Sequence, residues 1–123
     1  MKFSNGCWLH KEGTEVFSPA EVYFVKKDEQ IFVKESGKFT CKELILCAPT
    51  HKIVTRGDTL GGVNLTIRIS SPFEEALRIR TDHYLGVREK GPSFKLTMDE
   101  DNNLTVDNRE ELLIVHSGSL RLE

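Results

Sequence analysis

At 123 residues, with 38% hydrophobic and 29% charged side chains, the chain has the length of one domain able to bury roughly 65% of its unfolded surface. Its 17 Lys and Arg against 19 Asp and Glu leave a net charge of −2, with the basic residues scattered, so the basic face that nucleic-acid binding by counterion release requires is missing. Met1-Lys2-Phe3-Ser4-Asn5-Gly6 contains no apolar h-region, and no apolar run is long enough to span a bilayer, so the expectation is a cytoplasmic chain without membrane contact.

Trp8-Leu9 and Val16-Phe17 flank His10 to Glu15, a polar connection in which Gly13 can supply positive φ. Trp8, the single tryptophan, is expected in the core. Pro19 opens a strand with Val22 and Phe24 on one face and Tyr23 and Val25 on the other. Lys26-Lys27-Asp28-Glu29 reads as a charged hairpin tip, and Ile31-Phe32-Val33 as the returning partner. Apolar residues on both faces suggest a central position for this pair. Ser36-Gly37 marks a turn. Phe39 to Cys47 then contains Leu44, Ile45 and Leu46, a run too short for periodicity to separate strand from helix; its β neighbours favour strand. Pro49 interrupts, Ile53-Val54 reads as a short strand, and Arg56-Gly57-Asp58 with Gly61-Gly62 as a flexible loop.

The clearest strand follows. Val63, Leu65, Ile67 and Ile69 alternate with Asn64, Thr66 and Arg68, the period-two pattern of one buried and one wet face. Ser70-Ser71-Pro72 stops it, since proline cannot donate to a ladder and serine bonds nearby backbone. Leu77, Ile79 and Thr81 alternate with Arg78, Arg80 and Asp82 in a second such strand ending near His83-Tyr84-Leu85. Gly86 and Lys90-Gly91-Pro92 break the chain before a short strand at Phe94 to Met98. Asp99 to Asn103 is a polar turn, Leu104-Thr105-Val106 a strand, Asp107 to Arg109 a turn, Leu112 to Val115 a buried strand, and Ser117-Gly118 a turn into Leu120-Arg121-Leu122. Strands spaced about 8–12 residues apart with turn residues between them predict an all-β antiparallel sandwich. The pattern yields a two-sided scaffold and no reaction.

Several short motifs have the residue types of chemical sites without their spacing or setting. Asp99, Asp101, Asn103 and Glu110 occupy positions one, three, five and twelve of a calcium loop, but position six is Leu104 where the turn needs glycine, and the flanks read as strands. Arg56-Gly57-Asp58 and the sequons Asn64-Leu65-Thr66 and Asn103-Leu104-Thr105 belong to secreted chains, which this start does not suggest. Cys7, Cys41 and Cys47 are odd in number without a C-x-x-C, which fits buried free thiols rather than disulfides or zinc. Asp82-His83 with Ser70 or Ser71 supplies triad residue types, but neighbours on a strand face opposite sides. His10, His51 and His116 carry no metal-ligand spacing. Glu74-Glu75 and Glu110-Glu111 are carboxylate pairs by sequence only, whereas retaining glycoside hydrolysis needs two carboxyls flanking the bond. No catalytic, cofactor-binding or metal residue is assigned.

Leu65-Thr66-Ile67-Arg68-Ile69-Ser70-Ser71-Pro72, then Leu77-Arg78-Ile79-Arg80, His83-Tyr84 and Gly91-Pro92, resemble the N-terminal domain of bacterial α-xylosidases of glycoside hydrolase family thirty-one. The start, Met1-Lys2-Phe3-Ser4-Asn5-Gly6-Cys7-Trp8-Leu9 followed by Val16, Pro19 and Val22 to Val25, is similar to the opening of those enzymes; Glu35 to Leu60 match poorly. The resemblance implies a galactose mutarotase-like β-sandwich, here incomplete, whose partner is the catalytic (β/α)₈ barrel of a parent that hydrolyses terminal α-xylosyl or α-glucosyl units with retention. It places both catalytic aspartates in that barrel, and nothing in this sequence has a barrel's alternating pattern. An incomplete sandwich would leave Leu112 to Val115 or Leu120 to Leu122 as edges prone to self-association. A self-contained carbohydrate- or protein-binding module is the alternative reading.

Overall fold

The computed structural model describes residues 13, 15–28, 31–83 and 94–123. Outside them lie Cys7, Trp8-Leu9 with its expected core position, Glu29 of the hairpin tip, Tyr84-Leu85, Gly86 and Lys90-Gly91-Pro92. The described residues form β1 (Phe24–Lys27), β2 (Ile31–Phe32), β3 (Gly37–Cys41), β4 (Glu43–Pro49), β5 (Asn64–Ser70), β6 (Arg78–Asp82), β7 (Leu104–Asn108), β8 (Leu113–Ser117) and β9 (Leu120–Leu122), with one 3₁₀ turn at Arg56–Thr59. The strands make a five-stranded antiparallel sheet in the order β2-β1-β4-β5-β6 and a four-stranded one in the order β3-β7-β8-β9. The protein is thus an all-β sandwich. No helix among the described residues is long and apolar enough to cross a membrane.

The alternating patterns produce the core. Leu44, Leu46 and Ile69 from the larger sheet meet Cys41, Leu104, Val106 and Val115 from the smaller, with Val25, Phe39, Ile67, Leu77, Leu113 and Leu122 packed around them. Apolar burial of this kind is the main favourable term in folding. β4 is buried from Leu44 to Pro49, which is why its apolar run does not alternate: a strand covered on both faces has no wet side to encode. It, rather than β1, is the central strand; β1 lies one place from the edge.

The run from Phe39 to Cys47 breaks at Lys42, where the chain leaves one sheet and enters the other. Asp28 builds that corner. Its Oδ1 accepts from the Lys42 and Glu43 backbone N–H groups at 2.9 and 3.2 Å, while its own N–H donates to Glu43 O at 2.9 Å. Asp28 sits at φ 50, a left-handed conformation that aspartate tolerates better than most residues. The hairpin joining β1 and β2 thereby also fixes the crossing between sheets.

Other expectations are corrected by where backbone groups find partners. The ladder of β1 starts at Phe24, not Pro19; before it, Ala20 and Tyr23 each donate one bond to β4, to Pro49 O and Cys47 O. Ile53 and Val54 form no strand, because their N–H groups donate to Glu21 Oε1 and Asp58 Oδ2. The Arg56-Gly57-Asp58 stretch is an ordered 3₁₀ turn. Phe94 to Met98 has apolar alternation without a ladder among the described residues, and Phe94 is 78% exposed. Asp107 and Asn108 extend β7, so the turn falls later, where Arg109 N donates to Leu112 O. Ser117 remains in β8, leaving the turn to Gly118 and Ser119. β8 is flanked by β7 and β9 and so is no edge; β9 is one among the described residues. Gly13 takes φ 83 in its turn, as its position implied.

Candidate functional site

A buried polar cluster joins the two sheets where β5 ends. Ser71 follows β5, Ser117 closes β8, and both are buried. Asn102 Nδ2 donates to Ser71 Oγ at 2.5 Å and to Ser71 O at 3.2 Å. Ser117 Oγ lies 2.5 Å from Ser71 Oγ, and the single Ser71 hydroxyl proton has Phe73 O at 2.7 Å and Ala76 O at 2.9 Å as acceptors. A serine hydroxyl has one proton and two lone pairs; Ser71 Oγ accepts from Asn102 and shares a bond with Ser117 in which either hydroxyl can donate. The buried hydroxyl is thus held on several sides by groups of its own chain. The arrangement is a tie between sheets, and the triad reading of Ser71 finds no support in it. Asp82 is engaged with Arg80, whose Nε lies 2.9 Å from Oδ2.

Beside this node, Glu75 clamps the β8–β9 turn. Its carboxylate accepts from Ser119 N at 2.7 Å and from the Ser119 hydroxyl, and those bonds hold its carboxyl below the ordinary glutamate range. Glu75 is itself at φ 64. At Gly118, φ +58, the left-handed backbone favours glycine, and a Cβ there would lie 2.6 Å from Glu75 Oε1 and so displace the carboxylate from its clamp. Glu75 thus has a structural employment distinct from that of Glu74, and Glu110 and Glu111 lie exposed on the β7–β8 turn.

The remaining candidates are also occupied. Asp58 Oδ2 accepts from Val54 N, Thr55 N and the Thr55 hydroxyl, and the backbone bonds foremost hold its carboxyl down. Arg109 does the same for Asp107 through bonds at 2.7 and 2.9 Å. Asp99 Oδ1 accepts from Asp101 N inside the 99–103 turn, while Leu104 is fully buried in β7; no group of three or more His, Cys, Asp or Glu able to hold a metal occurs among the described residues. Cys41 and Cys47 are buried free thiols. Burial, with Asp28 adding to it, pushes the Cys41 thiol up to about 12, which keeps it protonated and unreactive.

The outward face of the larger sheet carries a row read directly from the pairing register: Phe32, Lys26, Ile45, Arg68 and Arg80. Opposed residues share a face. Lys26 Nζ sits 4.4 Å from the Phe32 ring centre and 5.4 Å from that of Phe24, and Arg68 pairs with Glu43 at 3.0 Å. Sequence patterning shows each strand's alternation but not this register, so the row could not be assembled beforehand.

No family profile matches the chain. It is 32% identical over 122 residues to the α-xylosidase XylQ of Lactiplantibacillus pentosus and 28% identical over 123 residues to an α-xylosidase of Emericella nidulans. These alignments take in 99% and 100% of this chain but 14% of each relative.

Proposed function

We propose that this chain, a relative of the α-xylosidases along nearly its whole length, is the non-catalytic N-terminal β domain of an α-xylosidase-like glycoside hydrolase. The observation that carries the reading is the match of 99% of the chain to 14% of an α-xylosidase. Residues 1–123 then constitute one domain of mutarotase-like type, incomplete as it stands, and its partner is a catalytic barrel elsewhere in the parent protein. That parent hydrolyses terminal α-xylosyl or α-glucosyl units with retention, drawing its carboxyl pair from the barrel. The employment of Glu75, Asp58 and Asp107 in local hydrogen bonds supports a structural role for this portion. The buried free thiols of Cys41 and Cys47 suit a reducing, cytoplasmic setting.

The test is release of aryl alcohol from an aryl α-xyloside by the purified chain. No turnover above buffer is expected; turnover that vanishes on Glu74→Gln or Glu110→Gln would refute the assignment. A second reading, a sugar-binding module, draws on Tyr23 and Phe32, which are 51% and 52% exposed rather than buried by their strands. Sugar platforms need a free aromatic face, and the Lys26 ammonium already lies over Phe32. Calorimetry with xylo-oligosaccharides should therefore show no saturable heat, and a binding heat lost on Tyr23→Ala would favour the module.

A further inference from the structure

The sandwich has four open edges among the described residues: β2, β6, β3 and β9. They are not equivalent. β2 has two residues and β9 three, while β3 begins at a glycine and its one charge, Lys38, has no opposite charge in the strand to meet across a two-fold axis, where like charges would repel. β6 has five residues, and Arg78, Ile79, Arg80 and Thr81 are exposed in succession, so both faces of the strand stand in water. Ile79 lies opposite Ile69, which is 3% exposed, yet is itself 54% exposed. The apolar face of the larger sheet therefore runs past the smaller sheet at β6.

The sequence of β6 also specifies what fits it. In an antiparallel pair of identical strands, residues directly opposite share a face, and the two-fold axis must pass through a residue position. An axis at Ile79 sets Arg78 against Arg80, and an axis at Arg80 sets two Arg80 side chains together. An axis at Thr81 sets threonine against threonine and Arg80 against Asp82 twice, with no like charges opposed. Asp82 has capacity for that contact. Its side chain is 17% exposed, and its Oδ1 accepts from Arg80 Nε of the same strand at 3.2 Å, a surface bond that leaves the carboxylate lone pairs for a second donor, while Oδ2 is shielded. A guanidinium from across the axis supplies donors in the fork geometry that carboxylates accept.

We propose that β6 is a self-recognition edge, through which the chain pairs with a second copy of itself in antiparallel register about Thr81, so that one sheet continues across both copies. The proposal does not rest on the α-xylosidase reading. Sedimentation across micromolar concentrations should show a monomer–dimer equilibrium that salt weakens, because the cross-axis pairs are charged. Arg80→Asp and Asp82→Arg, each placing like charges opposite, should each raise the dimer dissociation constant about tenfold or more. The double swap restores opposite charges and should return it to within about threefold of the starting value. Thr81→Lys, at an exposed position, should dissociate the dimer while circular dichroism remains that of the folded chain. A chain that is monomeric throughout, a dimer that survives Thr81→Lys, or a folded double swap that does not recover association would each overturn the proposal; the first would give this edge to a strand from elsewhere in a longer protein.

Discussion

Removing the Ser71 hydroxyl tests the tie between the sheets. In Ser71→Ala, Asn102 Nδ2 keeps only Ser71 O at 3.2 Å, Ser117 Oγ keeps only Phe73 O at 3.2 Å, and whichever of Phe73 O and Ala76 O the hydroxyl serves loses it as a donor. A net neutral hydrogen bond contributes ~1 kcal/mol, and a buried group left without a partner costs about 1–3 kcal/mol. With two of the three orphaned groups retaining a longer bond, the expected loss is about 1.5–3 kcal/mol, a large share of the ~5–15 kcal/mol that holds a domain of this size. Ser117→Ala leaves Ser71 its carbonyl and its amide donor, so its expected cost is smaller, ~0.5–1.5 kcal/mol. Because both changes act on one node, the double variant should be less destabilised than the sum of the singles by about 0.5–1.5 kcal/mol. Urea unfolding followed by circular dichroism gives all three values. Strict additivity, or a Ser71→Ala cost below ~0.5 kcal/mol, would show that the two hydroxyls are neighbours without being a joint.

Two titrations follow from the same geometry. Cys41 should resist iodoacetamide in the folded chain and react once urea unfolds it, as read by peptide mapping; its folded-state value of about 12 exceeds the ordinary 9.0, so its contribution is complete below pH 9 and lost as pH rises toward 12, by at most about 1.4 kcal/mol per unit. Cys41→Ala should flatten that alkaline loss, and an unchanged slope would remove the thiol as its source. Glu75 has the opposite sign: its folded value lies below the ordinary one, so its contribution is present at neutral pH and lost as pH falls through the carboxylate range. Glu75→Gln should flatten part of the acid limb of a stability profile, and an unaltered acid limb would mean that the Ser119 bonds do not couple to folding.

What the sequence made legible, and what it hid, divides along a physical line. Strands with one wet face announce themselves by period two: β5, β7 and β9 lie where their alternation puts them, and the β1–β2 hairpin forms, although Lys26 and Lys27, read as part of its tip, pair with Phe32 and Ile31 in the ladder. β4 was the least legible strand although it is the central one, because a strand buried on both faces shows only an apolar run. Phe94 to Met98 shows the converse. Alternation is a statement about faces, whereas a strand is a statement about backbone partners, and none of the described strands pairs with that segment. The Ser71 node was hidden for a related reason: Asn102 and Ser117 lie 31 and 46 positions away, and no local pattern encodes a contact made by bringing two sheets together.

The corner at Lys42 shows how far local reading could have gone. Nothing in Phe39 to Cys47 distinguishes one long strand from two short ones in different sheets, since Lys42-Glu43 is an ordinary polar pair between Cys41 and Leu44. The determinant is Asp28, 14 positions earlier, whose carboxylate takes the N–H groups of both Lys42 and Glu43. Those two donors are therefore satisfied at the bend instead of in a ladder. An aspartate at a hairpin tip reads from sequence as turn chemistry alone. Here the same side chain closes the β1–β2 hairpin, at φ 50, and orders the passage from β3 to β4, so one residue chosen for its tolerance of left-handed backbone also decides which sheet each half of the following apolar run enters.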